Sequence, residues 1–217
     1  MRRSIRVLTL LSLLGALAGT AQAQVTGLPV KNGGVTGGLT IGGEVGFPGD
    51  EYGGGTAFGA RGTLGLGPVG FGALLSHWSP DGDGDALNAV GGYLNLKVFG
   101  GPLIPLSVTL QGGAEYASRD GRKALHAPIG LGIGLRIPNP ALAIKPWIAP
   151  RLDVMRVSGD DIDSDTETNF GISGGVDFSL LGGLGFGVAY DRVWAGDGVN
   201  PSVFSVGVNY AIKIPGL

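Results

Sequence analysis

GVTGGLTIGGEVGF, residues 34–47, reads as glycine filler until every second residue is taken. Val35, Gly37, Leu39, Ile41, Gly43, Val45 and Phe47 then carry nothing polar, whereas Thr36, Gly38, Thr40, Gly42, Glu44 and Gly46 carry every polar group. Side chains of a strand alternate between its two faces. The stretch therefore predicts one strand with an apolar phase on the side of Val35 and water on the side of Thr36. Which two phases these are decides the fold.

The same period recurs at 56–67, 69–78, 89–99, 106–116, 125–137, within 144–157, and at 170–180, 184–192 and 203–214, giving ten strands with the first. In one of them Leu106, Val108, Leu110, Ala114 and Tyr116 stand opposite Ser107, Thr109, Gln111 and Glu115. The weak place is 138–150, where Pro138, Pro140, Pro146 and Pro150 crowd together. A central strand has no place for a residue without an N–H. Either the seventh strand starts near Pro150 or the prolines sit at bulges, and eight strands remain the alternative to ten.

The connections alternate too. PGDEYGGG, SPDGDGDALN, SRDGRK, SGDDIDSDTE and AGDGVNP are polar and acidic, whereas GP, GGPLIP, PNPALA and LGG between them carry no charge. Antiparallel hairpins place the two kinds at opposite ends of the sheet, so the two ends face different surroundings.

The chain opens with Arg2, Arg3 and Arg6, the run VLTLLSLLGALAG and a small-residue exit, AQA, ending at Ala23. This is the pattern of a cleaved secretory signal peptide, and it sets residues 1–23 apart from a mature domain over 24–217. Without the signal arginines the balance is 12 basic against 17 acidic residues, a net charge of −5, which argues against a nucleic-acid partner. The lack of cysteine removes disulfides and thiolate metal sites. Mean hydropathy is +0.29 and 15% of residues are charged, fewer than a soluble domain usually carries. Yet no mature segment reaches the ~18 consecutive apolar residues of a membrane helix. Apolar residues dealt singly along strands reconcile the two facts.

A closed membrane barrel and a soluble β-sandwich both alternate in this way, and three features favour the barrel. First, 12 of the 17 acids fall in the polar loops and the other five, Glu44, Glu115, Asp153, Asp177 and Asp191, on the polar side of a strand. Arg61, Lys97, Arg136, Lys145, Arg151 and Lys213 share that side. A Lys or Arg facing lipid at mid-depth costs about 2–4 kcal/mol, and the apolar side is free of charge except for Arg156 and Arg192 at strand ends, where they can snorkel. Second, Phe47, Phe58, Tyr116, Phe170, Tyr190 and Phe204 gather on the apolar side near the acidic loops, and Phe71, Phe178 and Phe186 near the short turns, as two interfacial girdles do. Third, the polar side is largely glycine, which suits a crowded interior better than a wet exterior. A sheet in lipid must close, because lipid offers its edges no hydrogen bonds.

On its leader, alternating strands, girdles and two kinds of loop, the chain resembles the small Gram-negative outer-membrane β-barrels of OmpA and OmpW type. The resemblance implies an antiparallel up-and-down barrel in the cell outer membrane, with both termini in the periplasm and the acidic loops outside. It also implies contact with outer-membrane lipid and lipopolysaccharide and delivery by the barrel-insertion machinery. The chain departs from the pattern in ending NYAIKIPGL, without a terminal aromatic residue.

Within that frame the lumen-lining charges are Glu44, Arg61, Lys97, Glu115, Arg136, Lys145, Arg151, Asp153, Asp177, Asp191 and Lys213. Their near-balance of sign supports either an ion-pair plug or a narrow pore for ions or small solutes, and the glycine space favours the pore. Asp81, Asp83 and Asp85, and Asp161, Asp163, Asp165 and Glu167, alternate as oxygen ligands for a hard cation can, although neither run completes a helix-flanked calcium loop. GLGPVG (65–70) matches a dinucleotide fingerprint, but a second strand follows where a helix is required, so it reads as a tight turn. His77 and His126 are the only histidines. Ser76 beside His77 points to the opposite face, and His126 has no serine close in sequence, so the expectation is a barrel without enzyme activity or cofactor. A secreted β-sandwich binding a ligand or cation through its acidic loops is the alternative.

Overall fold

Glycine leaves a strand thin enough to curl, and apolar residues at every second position give it a face that must leave water. The chain resolves both demands by closing on itself. The computed structural model describes residues 26–82, 84–101, 103–119, 121–137, 139, 142–159, 162–195 and 198–214. The predicted signal peptide, Asp83, Asp120, Asp160, Asp161, Asp197, Pro138 and Pro140 lie outside them.

The strands are β1 (Gly38–Pro48), β2 (Thr56–Leu66), β3 (Val69–Ser79), β4 (Leu87–Gly101), β5 (Ile104–Arg119), β6 (Arg122–Leu135), β7 (Leu142–Gly159), β8 (Ile162–Leu180), β9 (Leu184–Trp194) and β10 (Ser202–Ile212). Each pairs antiparallel with its sequence neighbours, and β1 pairs with β10 from Leu39↔Ile212 to Pro48↔Val203, so one closed barrel results. The sandwich alternative falls with that closure: Ile41 is 49% exposed on the outer surface, where stacked sheets would have hidden it. Ten strands replace the choice between eight and ten.

The outer face is the predicted apolar one. Phe58, Phe71, Leu94, Ile129, Leu152, Val206 and Val208 are exposed on it, while Ala57, Glu44, Arg151 and Asp153 on the other parity are buried. At the loop end Phe47 stacks on Phe204 at 6.3 Å and Phe170 on Trp194 at 5.6 Å. At the turn end Phe178 stacks on Phe186 at 4.8 Å. These are the two girdles.

Two of the four prolines of the weak place lie inside β7, paired as Pro146↔Val176 and Pro150↔Ile172 with β8. The cost falls on the other side, where the β6–β7 ladder keeps its register but is interrupted between Gly130↔Arg151 and Ile133↔Ile148, around Pro150. A strand can carry a residue without an N–H where one ladder is already interrupted. The 19 residues of β8 exceed the roughly 9–11 a tilted membrane strand needs. From the girdle residue Phe170 the strand runs back to Ile162, so Asp165 and Glu167 stand on a strand that continues past the aromatic girdle and not in a loop.

The opening stretch needs one correction. β1 begins at Gly38, four residues later than the alternation suggests, and Val35 is only 8% exposed, inside the barrel and away from lipid. Alternation across 34–37 is a coincidence of parity. What those residues do instead defines the site.

Candidate functional site

Residues 26–37 form an extended strap that runs through the lumen from one end to the other. At the loop end Gly27 donates its N–H to the Tyr52 hydroxyl at 3.1 Å and lies against Trp78. At mid-depth the Val30 N–H donates to Asp191 Oδ2 at 3.1 Å, and Ser173 Oγ donates to the Val30 carbonyl at 2.5 Å. Lower down, Asn32 Nδ2 donates to the Thr109 carbonyl at 3.4 Å. Val35 then packs on Gly70, and the Thr36 carbonyl lies over Gly65 at the turn end, where β1 begins. Nine extended steps span about 30 Å, enough to cross the apolar band of a barrel wall. The strap therefore places Thr26 at the end opposite the start of β1. Among the described residues, Thr26 and the end of β10 at Ile212 therefore lie at opposite ends of the barrel.

Local sequence explains why the strap stays. Thr26 to Val30 are all buried. Leu28, at 1% exposure, enters an apolar cluster of Tyr52, Ala57, Leu74, Trp78, Val193 and Val203 under the loops. Tyr52, in a 3-10 turn over Asp50–Tyr52, meets Trp78 edge-on at 4.9 Å. Burial raises the Tyr52 phenol above its ordinary range, so the ring stays neutral as it accepts the strap's N–H. Pro29 fixes its own φ after the bend at 26–28 and has no N–H for the wall to satisfy. The wall supplies room: a Cβ on Gly46 would approach Leu28 Cδ2 to 2.8 Å, and Cβ atoms on Gly59 and Gly132 would collide with Leu28 and Asn32. The glycine of the polar face leaves a groove, and the strap fills it. The space that favoured an open pore is occupied.

Charges meet the strap in a repeated pattern. Glu44 of β1 takes Arg61 on Oε1 at 2.9 Å and the strap's Lys31 on Oε2 at 2.5 Å. Asp191 of β9 takes Arg151 Nη2 on Oδ1 at 2.9 Å and the Val30 N–H on Oδ2. Each carboxylate has one oxygen held by a wall arginine and the other turned to the strap. Behind Asp191 the chain of contacts continues. Arg151 Nε donates to Asp153 Oδ1 at 2.9 Å, and His126 bridges Asp153 Oδ1 at 2.7 Å and Glu115 Oε2 at 2.9 Å. Arg61 also lies 5.6 Å from the Tyr93 ring, whose hydroxyl is 2.6 Å from Thr63 Oγ1.

Of the eleven predicted lumen residues, Glu44, Arg61, Glu115, Arg151, Asp153 and Asp191 are thus brought together in two clusters. Lys145 faces Asp177 in register across β7 and β8, and Gly33 of the strap passes Asp177. Lys97 is half-buried on β4, whereas Arg136 and Lys213 are exposed just beyond the ends of β6 and β10 and join neither cluster. Sequence reading missed Lys31, which precedes the first strand, and His126, fully buried at the centre of the second cluster. Parity was the available signal for His126, since it shares a face with Gly130 and lies opposite Ile129 and Leu131. Nothing in an alternation pattern marks Lys31.

The acidic runs behave differently from a cation loop. Asp165 and Glu167 lie in the β7–β8 ladder opposite Val157 and Met155. A ladder holds carboxylates apart along a line, whereas a hard cation needs oxygens wrapped around it. Asp85 instead accepts Arg119 Nη1 on its carbonyl at 2.8 Å, and Glu51 Oε2 accepts the Asn200 N–H at 2.6 Å, tying two loops together. Among the described residues no group of three or more acids or histidines is arranged to hold a metal ion. Asp83 and Asp161 lie outside the described residues, as does the side chain of Asp163.

On the outer face at the loop end, Ser79, and not Ser76, accompanies His77. Ser79 Oγ is 3.5 Å from His77 Nε2, and Asn88 Oδ1 is 2.9 Å from His77 Nδ1. A nucleophile and base also need donors for an oxyanion. Here the residue after the serine is Pro80, which has no N–H, and the flanking backbone is engaged in β2–β3 and β3–β4 pairing. The arrangement fixes a histidine beside a serine on the outer face at the loop end.

A family model described as outer membrane protein beta-barrel domain matches residues 9–211. The chain belongs to that family. Its location is accordingly the outer membrane, in the lipid and lipopolysaccharide setting of such barrels. No curated protein sequence matches it. Among solved structures it is similar to the beta domain of the Bordetella autotransporter BrkA, at 16% identity over 81% of this chain and 99% of that one, with a TM-score of 0.51. It is similar also to the outer membrane protease OmpT of Escherichia coli, at 9% identity, 81% and 94% coverage and a TM-score of 0.42. The translocator domain of the autotransporter NalP from Neisseria meningitidis follows at 14% identity, 81% and 89% coverage and a TM-score of 0.41. At such identities the likeness concerns the fold.

Proposed function

We propose that this outer-membrane barrel is closed at rest by its own N-terminal strap, with a structural role in that state and passage of ions or small solutes only once the strap leaves. One observation carries the reading: Val30, midway along the strap, is buried with its N–H on Asp191 and its carbonyl on Ser173, both side chains of the wall. Ten strands enclose more space than the side-chain-filled barrel of eight and less than an open porin of sixteen. One extended chain fills the difference. With the acidic loops outward, Thr26 stands at the outer mouth, and Asp81, Asp85, Asp165 and Glu167 stand in the aqueous layer where lipopolysaccharide and its divalent cations lie.

Planar-bilayer recording of the folded protein tests the reading. The full chain is expected to give no conductance steps, and a variant lacking residues 26–36 to give discrete ones. Steps from the full chain at once would refute closure. Silence from both, with folding verified by the heat-dependent gel shift, would move the barrier from the strap to the wall side chains.

A further inference from the structure

The strap is a segment of the chain, yet the wall treats it as a ligand. The two carboxylates that receive it are held from behind by groups that do not belong to it. Arg61 fixes Glu44, and the relay Arg151–Asp153–His126–Glu115 fixes Asp191. Each is therefore oriented by a wall arginine and turns its other oxygen to the strap. The groove that Gly46, Gly59 and Gly132 leave open, and the apolar hole under Tyr52 and Trp78, are likewise made by wall residues. Preorganised partners of this kind are what a binding site needs, because little order remains to be created on binding.

We infer that the lumen is a binding site for an extended peptide, selective for an apolar-Pro-apolar-Lys run such as Leu28-Pro29-Val30-Lys31, and that the strap is its tethered occupant. The inference rests on the closed-barrel reading for its setting and adds the class of ligand. Selectivity follows residue by residue. The hole under the loops takes Leu28. Asp191 and Ser173 read the Val30 N–H and carbonyl, which fixes the strand direction. Glu44 takes a cation at the next position, and an acid there would face a buried carboxylate. Tethering raises the effective concentration of the strap to the millimolar range, so a competitor acts only when the tether is cut or the strap removed.

The test uses a fluorescent peptide of residues 24–37 and the barrel lacking 26–36, folded in detergent, with anisotropy as the readout. Saturable binding is expected, with a Lys31→Glu peptide about tenfold or more weaker, and a Glu44→Gln barrel losing that discrimination. Conductance plays no part in this readout, so a failure here and a failure of the closed-barrel reading are told apart. If the truncated barrel does not fold, a protease site placed at Gly37, where a side chain would meet open space, cuts the strap free in the full chain. Exchange of the cut strap for added labelled peptide then replaces direct binding. Absence of binding or exchange, or equal binding of a scrambled peptide, would overturn the inference.

Discussion

Each strand of this barrel has two faces that obey different rules. On β10, Phe204, Val206 and Val208 face outward into lipid, while Val203 and Ser205, one step away, are buried within the lumen. The outer face meets a fluid that accommodates any apolar shape. The inner face meets a strap of fixed sequence in a fixed direction. The outer pattern is therefore a matter of polarity and the inner one a matter of shape, charge and partner. That difference predicts how each face answers to substitution.

The largest effect is expected inside. Arg151, 4% exposed, stands between Asp153 and Asp191, and Arg151→Ala leaves two carboxylates buried without their cation. Breaking a buried pair from one side costs about 3–5 kcal/mol, and Asp191 is also the strap's anchor. Urea unfolding of the barrel in lipid vesicles should show that loss together with faster protease cleavage of the strap. A change under about 1 kcal/mol, the ceiling for most exposed pairs, would mean that the cluster is solvated and that the inner face follows the rule of the outer.

Next comes a charge on the outer face. Val206, midway along β10 and 40% exposed, meets lipid on this reading. Val206→Arg should cost about 2–4 kcal/mol in vesicles, falling toward the interfaces. The same substitution in a protein that is stable without lipid would be close to neutral, and such a result would undo the assignment of phases.

This division also explains what could be read in the residues beforehand. The barrel class, the girdles and the parity of Glu44, Arg151, Asp153 and Asp191 follow from alternation, because lipid imposes a polarity rule that repeats every second residue, whereas the choice between eight and ten strands waited on the prolines of β7. The prolines of β7 escaped it, since a tolerated gap in one ladder depends on which neighbour is missing its bond. So did the strap. Residues 26–33 have no period, and 34–37 borrow the period of β1 only because Val35 happens to share parity with Leu39. A segment that binds as a ligand is specified by the surface it meets, and that surface is assembled from β1, β2, β3, β5, β6, β8, β9 and β10, far apart in sequence. The glycines were visible but ambiguous: the same composition suits an empty pore and a groove already filled.

The smallest effect separates the faces most sharply, because polarity and volume are held constant. Leu152→Ile on the outer surface, where Leu152 is 54% exposed, changes only what touches acyl chains, and stability should move by a few tenths of a kcal/mol at most, as surface changes do. Leu28→Ile alters no volume but moves a methyl branch inside a cluster closed by Tyr52, Trp78, Val193 and Val203. Shape changes of this kind in a packed site cost up to about 1.5 kcal/mol. Since the strap is a ligand of the wall as well as part of the fold, that cost should surface as a faster rate of strap exposure, read by proteolysis, before it shows in the unfolding midpoint. Equal responses from the two positions would mean that the hole under the loops is as yielding as lipid, and the strap would then be held by Glu44, Ser173 and Asp191 alone.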